Sequence, residues 1–173
     1  MSKALLLIDL QNDYFPGGNF PLADTEAVLA RTEQAIAAAQ ASGVHIVHIQ
    51  HVQRPGSPRG AFFNNGTEGV EIHPRVLAAA PDAPVVQKLA ADAFHETELA
   101  AVLQRLGVTE LLLAGMMTQN CVTHTALSKA AEAYQITVLS DCCTTVSEIL
   151  HKIALNALSV RMPLKTAAEA LAG

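Results

Sequence analysis

Tryptophan is absent from this 173-residue chain, and aromatic residues make up only 4% of it. A core without large rings must be built from Ala, Leu, Val and Ile. Charged residues are sparse at 16%, against 50% hydrophobic ones, a balance that excludes an intrinsically disordered chain. Acidic groups outnumber basic ones and leave a formal net charge of −5. That argues against general nucleic-acid binding and against an anionic membrane surface, because both want a basic patch. No basic segment precedes an apolar run, so no signal peptide is expected. The longest uncharged run, Leu111–Ser128, contains Gly, Gln, Asn, His and several Thr and does not read as a membrane span. The three cysteines cannot all pair, and Cys142 and Cys143 are adjacent. A disulfide framework is therefore not expected, and a reducing cytoplasm fits best. Neither Gly-x-Gly-x-x-Gly nor Gly-x-x-x-x-Gly-Lys occurs, so nothing marks a dinucleotide or triphosphate cradle.

What the chain does have is alternation. Short apolar runs at Ala4–Ile8, Val44–His51, Pro84–Lys88, Glu110–Ala114 and Ile136–Leu139 read as strands. Between them lie helical patterns, with Asp24, Thr97 and Ser147 as candidate caps and Gly43 and Gly107 as stops. A helix is expected from about Asn120 to Tyr134. Arg161–Lys165 reads as an edge-type strand, since Pro163 lacks a ladder donor. Thr166-Ala-Ala-Glu169 reads as a capping box on a last short helix. Strands without polar alternation, each followed by a helix, indicate a mainly parallel sheet covered on both faces. The expected fold is α/β, a three-layer α/β/α domain of doubly wound, Rossmann-like topology with about six strands. Residues 1–173 suit one domain. The exception to the compact pattern is Val52–His73, a loop whose length points to function or mobility.

Ligands in such sheets sit at the carboxyl ends of the strands, near the switch point. Three reactive groups recur there: Asp9 after the first strand, Lys88 closing the third, and Cys121 just after the fourth. Each has an ordinary reading alone, as a turn cap, a solvated charge or a small buried side chain. Together they make coherent chemistry. The thiolate is the nucleophile, and a helix start and an ammonium would both favour the anion. A carboxylate in reach can take the thiol proton and return it to a leaving amine. The glycine-led turn before Cys121 can aim backbone N–H groups at a developing oxyanion.

These residues stand in four ordered motifs: Leu7-Ile-Asp9-Leu-Gln11-Asn-Asp13, Gly66-Thr-Glu-Gly69-Val-Glu-Ile-His73-Pro74, Lys88-Leu-Ala-Ala-Asp92-Ala-Phe94 and Gly115-Met-Met-Thr118-Gln-Asn-Cys121-Val122. Over nearly the whole chain the sequence resembles the isochorismatase-like cysteine hydrolases, which include nicotinamidases and several small amidases. The resemblance implies a triad of Asp9, Lys88 and Cys121, and a non-proline cis peptide at Met116–Met117. It also implies an oxyanion hole from the amides of Met117 and Cys121. Gln11, Phe15, Phe94, Met116 and Thr118 become pocket or support residues, with core packing the alternative for the two phenylalanines. His51, near a strand end, is expected to touch substrate. The resemblance further implies a homo-oligomer acting on a small molecule; it is the acidic balance that argues against a nucleic-acid or membrane partner.

Some members of this fold bind a divalent metal through an Asp and two or three His after the second strand. Here that region reads His48-Ile-Gln-His51. Residues three apart on a strand face opposite ways, so the two histidines cannot easily share an ion. No metal and no cofactor are expected. Asp92 stands where the motif often shows Ser or Asn, which leaves its local role open. Adjacent Cys142 and Cys143 make a poor zinc clamp and read as buried structural residues. Acyl transfer from a small amide is the first reading of the chemistry. Two others stay open: vinyl-ether hydrolysis with Asp9 as general acid, and a catalytically silent oligomeric relative.

Overall fold

The apolar run near the start of the chain forms the middle of the sheet. β1 (Ser2–Ile8) is buried from Ala4 onward, as a strand covered on two sides must be. The computed structural model describes residues 2–172. β1 pairs in parallel with β2 (His45–His51) on one side and β4 (Val108–Met116) on the other. β3 (Val85–Lys88) lies beyond β2, while β5 (Gln135–Thr144) and β6 (Leu164–Lys165) lie beyond β4. The six-stranded order is β3-β2-β1-β4-β5-β6, with every strand pair parallel.

Alternate residues of β1 feed two cores. Leu5 and Leu7 join a cluster with residues of α1 (Thr25–Ala41), α2 (Pro74–Ala79) and α6 (Ala167–Leu171). Ala4, Leu6 and Ile8 face the other way, onto α3 (Leu99–Arg105), α4 (Thr123–Ala126) and α5 (Glu148–Ser159). This is the three-layer α/β/α arrangement that the buried strand runs predict.

Local differences from the sequence reading have physical causes. Asp24 stands at the start of α1 in the left-handed region, with φ of 52° and no side-chain cap bond. The Thr97 hydroxyl accepts from Leu99 N at 3.2 Å, one residue outside the first turn of α3. The helix expected from Asn120 to Tyr134 is broken into a π turn at Thr118–Val122, the one-turn α4, and a 3₁₀ turn at Ala130–Ala133. Thr118, Val122, Thr123 and Thr125 are β-branched and poor helix formers. In addition, Thr123 Oγ1 donates to Thr118 O at 2.6 Å, diverting a carbonyl that a regular helix would use. β5 is longer than Ile136–Leu139 because its register slips between Leu113 and Gly115, after which Gly115 pairs with Cys143. Ser147 caps α5 through Leu150 N, and Thr166 and Glu169 form the reciprocal capping box of α6.

Candidate active site

The sheet order makes the β1/β4 junction its switch point, and Asp9 and the Cys121 turn leave the sheet on either side of it. Asp9 ends β1 with φ of 53°, a left-handed conformation that Asp tolerates better than most residues. At the same junction the chains come very close. A side-chain carbon on Gly115 (φ 127°) would lie 2.0 Å from Ile8 O, so only glycine fits there. The next peptide, Met116–Met117, is cis, and the π turn carrying Cys121 follows it.

Lys88 comes from the edge. It closes β3 opposite His51 of β2, and its side chain runs inward past the end of β2. Its Nζ stands 3.0 Å from Asp9 Oδ2, 3.2 Å from Cys121 Sγ, 2.9 Å from His51 Nδ1 and 3.0 Å from Ala90 O. An ammonium has three protons for these four neighbours. The Asp9 contact is an ion pair rather than a well-directed hydrogen bond, and both carboxylate oxygens lack an aligned donor. Asp9, Lys88 and Cys121 are shut from solvent, at 0%, 1% and 1% exposure. The His51 side chain, 26% exposed, stands at the rim.

Burial dominates the electrostatics. It pushes the Cys121 thiol up, the Asp9 carboxylate pushes the same way, and Lys88 only partly opposes them. Together burial and Asp9 favour the thiol over the thiolate at Cys121, against the direction expected from the ammonium alone. Burial works against the Lys88 ammonium, but Asp9 and Cys121 outweigh it and hold its pKa above the ordinary lysine value. Burial, then Lys88, lowers His51, so its imidazole is neutral at neutral pH. Donor atoms of Asp9, His51 and Cys121 lie within 4.8 Å of one another, a set of types that suits a soft divalent ion. Lys88 Nζ already stands against all three, so the cation among these donors is the chain's own.

Residues 3–169 match the isochorismatase domain model. The chain is 35% identical over 154 residues to the uncharacterized isochorismatase family protein YddQ of Bacillus subtilis, covering 88% of this chain and 84% of that one. The chain belongs to the isochorismatase family. It is also 33% identical to a streptothricin hydrolase of Streptomyces noursei over 83% of its own length, and spans 50% of that relative. An isochorismatase-like hydrolase structure from Alkaliphilus metalliredigens superposes with a TM-score of 0.87 at 27% identity, covering 99% of this chain and 98% of that one.

Around the trio, this isochorismatase-family chain uses several expected pocket residues differently. Gln11 is fully buried, and its amide is engaged with backbone. Nε2 donates to His51 O and Val70 O at 2.8 and 2.7 Å, while Oε1 accepts from His51 N at 2.8 Å. It fastens His51 rather than offering itself to a substrate. Thr118 Oγ1 is bonded to His151 Nδ1 at 2.8 Å, so its hydroxyl is turned to α5. Phe15 packs on His73 with centroids 4.4 Å apart, and it lines a cavity of about 490 Å³ whose walls include Asn12, Gly17 and Thr67 but none of the trio. Phe94 stacks on Tyr134 at 5.9 Å. For both phenylalanines, packing is the role observed. Asp92 Oδ1 accepts from Phe94 N at 2.8 Å and so shapes the loop after β3. His48 is buried in the sheet, with Nε2 2.9 Å from Ala80 O. Cys142 and Cys143 are buried free thiols.

Two residues escaped the sequence reading. Tyr14 is buried, and its phenol is raised by burial and then by the nearby Asp9 carboxylate. Asp13 clamps the long loop: its carboxylate accepts from Phe63 N at 2.6 Å and Asn19 N at 3.0 Å. Asp13 closes the first motif and Tyr14 directly follows it, and that adjacency to Asp9 was the available signal. The clamp packs Phe63 against Tyr14 at 4.5 Å and places it 5.9 Å from the His51 ring. This aromatic packing stands beside His51.

Proposed function

We propose that this isochorismatase-family hydrolase cleaves the carbon–nitrogen bond of a small amide through a thioester on Cys121. The observation that carries the reading is Lys88 Nζ standing between Asp9 Oδ2, at 3.0 Å, and Cys121 Sγ, at 3.2 Å. Asp9 takes the Cys121 proton as sulfur attacks the amide carbon. Because burial holds the sulfur as a thiol, proton transfer accompanies attack rather than preceding it. The oxyanion of the tetrahedral intermediate is received by the amides of Met117 and Cys121. The carbon–nitrogen bond breaks, and Asp9 returns the proton to the departing amine. Asp9 then takes a proton from water as the hydroxide attacks the thioester. The carbon–sulfur bond breaks, and that proton restores the thiol. Lys88 keeps Asp9 oriented and balances negative charge as it passes between oxygen and sulfur.

A panel of small amides assayed for ammonia release tests this. Cys121→Ala abolishes turnover with the circular dichroism spectrum unchanged, and mass spectrometry of the wild-type protein traps an acyl adduct on Cys121. Full activity in Cys121→Ala removes the thioester. Activity that survives Cys121→Ala and is lost in Asp9→Asn favours the vinyl-ether reading, in which Asp9 protonates the substrate.

We also infer that the chain assembles as a homo-oligomer through α5. Ile149 and Ile153, one helical turn apart, are 74% and 61% exposed, and Val160 just past the helix is 80% exposed. That is an apolar stripe where a monomer surface ordinarily carries charge.

A further inference from the structure

The rim histidine has only one chemically allowed orientation of its protons. Lys88 Nζ lies 2.9 Å from His51 Nδ1, and an ammonium donates but cannot accept. Nδ1 must therefore offer its lone pair. A neutral imidazole has one N–H, and that proton is left on Nε2, on the side of the ring away from Lys88. The residue beneath the ring is fixed as well, because Gln11 bonds both the N–H and the C=O of His51 at 2.8 Å. Phe63 lies 5.9 Å away, centroid to centroid. His51 reaches within 4.8 Å of both Asp9 and Cys121, yet its side chain is 26% exposed while those of Asp9 and Lys88 are closed. It is a polar group that reaches from the buried trio to the outside.

We propose that His51 is a substrate-binding residue that presents a fixed Nε2–H donor, and that it selects amides carrying a hydrogen-bond acceptor beside the scissile carbonyl. The selection rests on the amide reading above; the tautomer does not. With its lone pair committed to Lys88, His51 cannot serve as a base from Nδ1, and Nε2 has no lone pair to give. The cation on Nδ1 draws electron density from the ring and strengthens the Nε2–H as a donor. A ligand that buries this donor without meeting it leaves a polar group unpaired, and discrimination against such ligands is steep. The acceptor must lie close to the reacting carbon, because the imidazole and the sulfur are themselves so near.

Two measurements on the full chain test the proposal. The first is nitrogen-15 spectroscopy of the histidine-labelled wild-type protein at neutral pH. It is expected to show His51 protonated at Nε2 and unprotonated at Nδ1; a proton on Nδ1 overturns the proposal. The second compares matched amides by kcat/KM: nicotinamide with benzamide, and succinamate with 4-methylpentanamide. In at least one pair the acceptor-bearing member is expected to lead by about tenfold or more. The lead should fall to about threefold or less in His51→Leu and persist in His51→Gln, which keeps a donor. A wild-type lead below threefold in both pairs, or one that survives His51→Leu, overturns it. Failure of the thioester reading looks different: ammonia release would persist in Cys121→Ala with the histidine tautomer unmoved.

Discussion

Lys88 shows how one side chain can set the state of a site. Its ammonium is buried against a carboxylate, a thiol and an imidazole, so removing it strands Asp9 in a dry pocket. Breaking one side of a buried ion pair costs about 3–5 kcal/mol. Lys88→Met is expected to lose stability on that scale in urea unfolding, and adding Asp9→Asn should recover much of it. A full loss in the double variant would show that the cost is not the stranded charge. The sulfur makes a second residue-scale prediction. Since burial and Asp9 hold the Cys121 thiol up, iodoacetamide should alkylate it more slowly than a free cysteine at pH 8, with the rate still rising at higher pH. Peptide mass spectrometry separates it from Cys142 and Cys143. Faster labelling than the free thiol would mean a resting thiolate. Asp9, Lys88 and Cys121 could be singled out in the sequence because each follows an apolar run, and strand ends are where this sheet class binds ligands. The protonation of the sulfur could not, because it depends on how deeply Cys121 is buried and on the balance of Asp9 and Lys88 beside it, and those come from distant parts of the chain.

At the scale of elements, glycine and caps decide more than propensity. Gly115→Ala would drive a methyl group into the Ile8 carbonyl, at a cost of at least about 1–3 kcal/mol, read as a lowered Tm. It should also lower activity by displacing Asp9 from the Cys121 turn. Ser147→Ala should cost about 1 kcal/mol without touching turnover, since that cap only begins α5. These boundaries were legible: Ser147 and the Thr166–Glu169 box sit where the apolar pattern starts. The broken segment after Cys121 was not. Its apolar spacing reads as a helix, and its β-branched residues only weaken that pattern; the side-chain bond from Thr123 to the Thr118 carbonyl, which the sequence does not show, completes the break. Strand order was equally hidden, because β3 contributes Lys88 from the edge and nothing local to Val85–Lys88 marks an edge.

For the whole molecule, imidazoles shielded from water set a pH dependence, His48 and His51 among them. His48 and His51 are both lowered from the ordinary 6.5, chiefly by burial. The unfolded chain therefore binds more protons than the folded one as pH falls below that value, and stability declines with it. The urea midpoint should drop between pH 7 and pH 5, and replacing His48 should flatten the slope. Activity should fade on the same side, because a protonated His51 repels Lys88 and can no longer accept its hydrogen bond. Association is the other property of the whole. Ile149→Glu with Ile153→Glu should convert an oligomer to monomer in light scattering while leaving the fold intact; an unchanged mass would place the interface elsewhere.

The four-residue β3 has a neighbour on one side only, yet it supplies the ammonium for a thiol and a carboxylate mounted deep in the sheet. Peripheral fraying can therefore silence the chemistry while the centre stays folded. Heating should extinguish turnover several degrees before the global transition, and amide exchange should be fastest at Val85–Lys88 among the site-bearing strands. The enzyme's working temperature would then be set by its most weakly moored edge and not by its densest core.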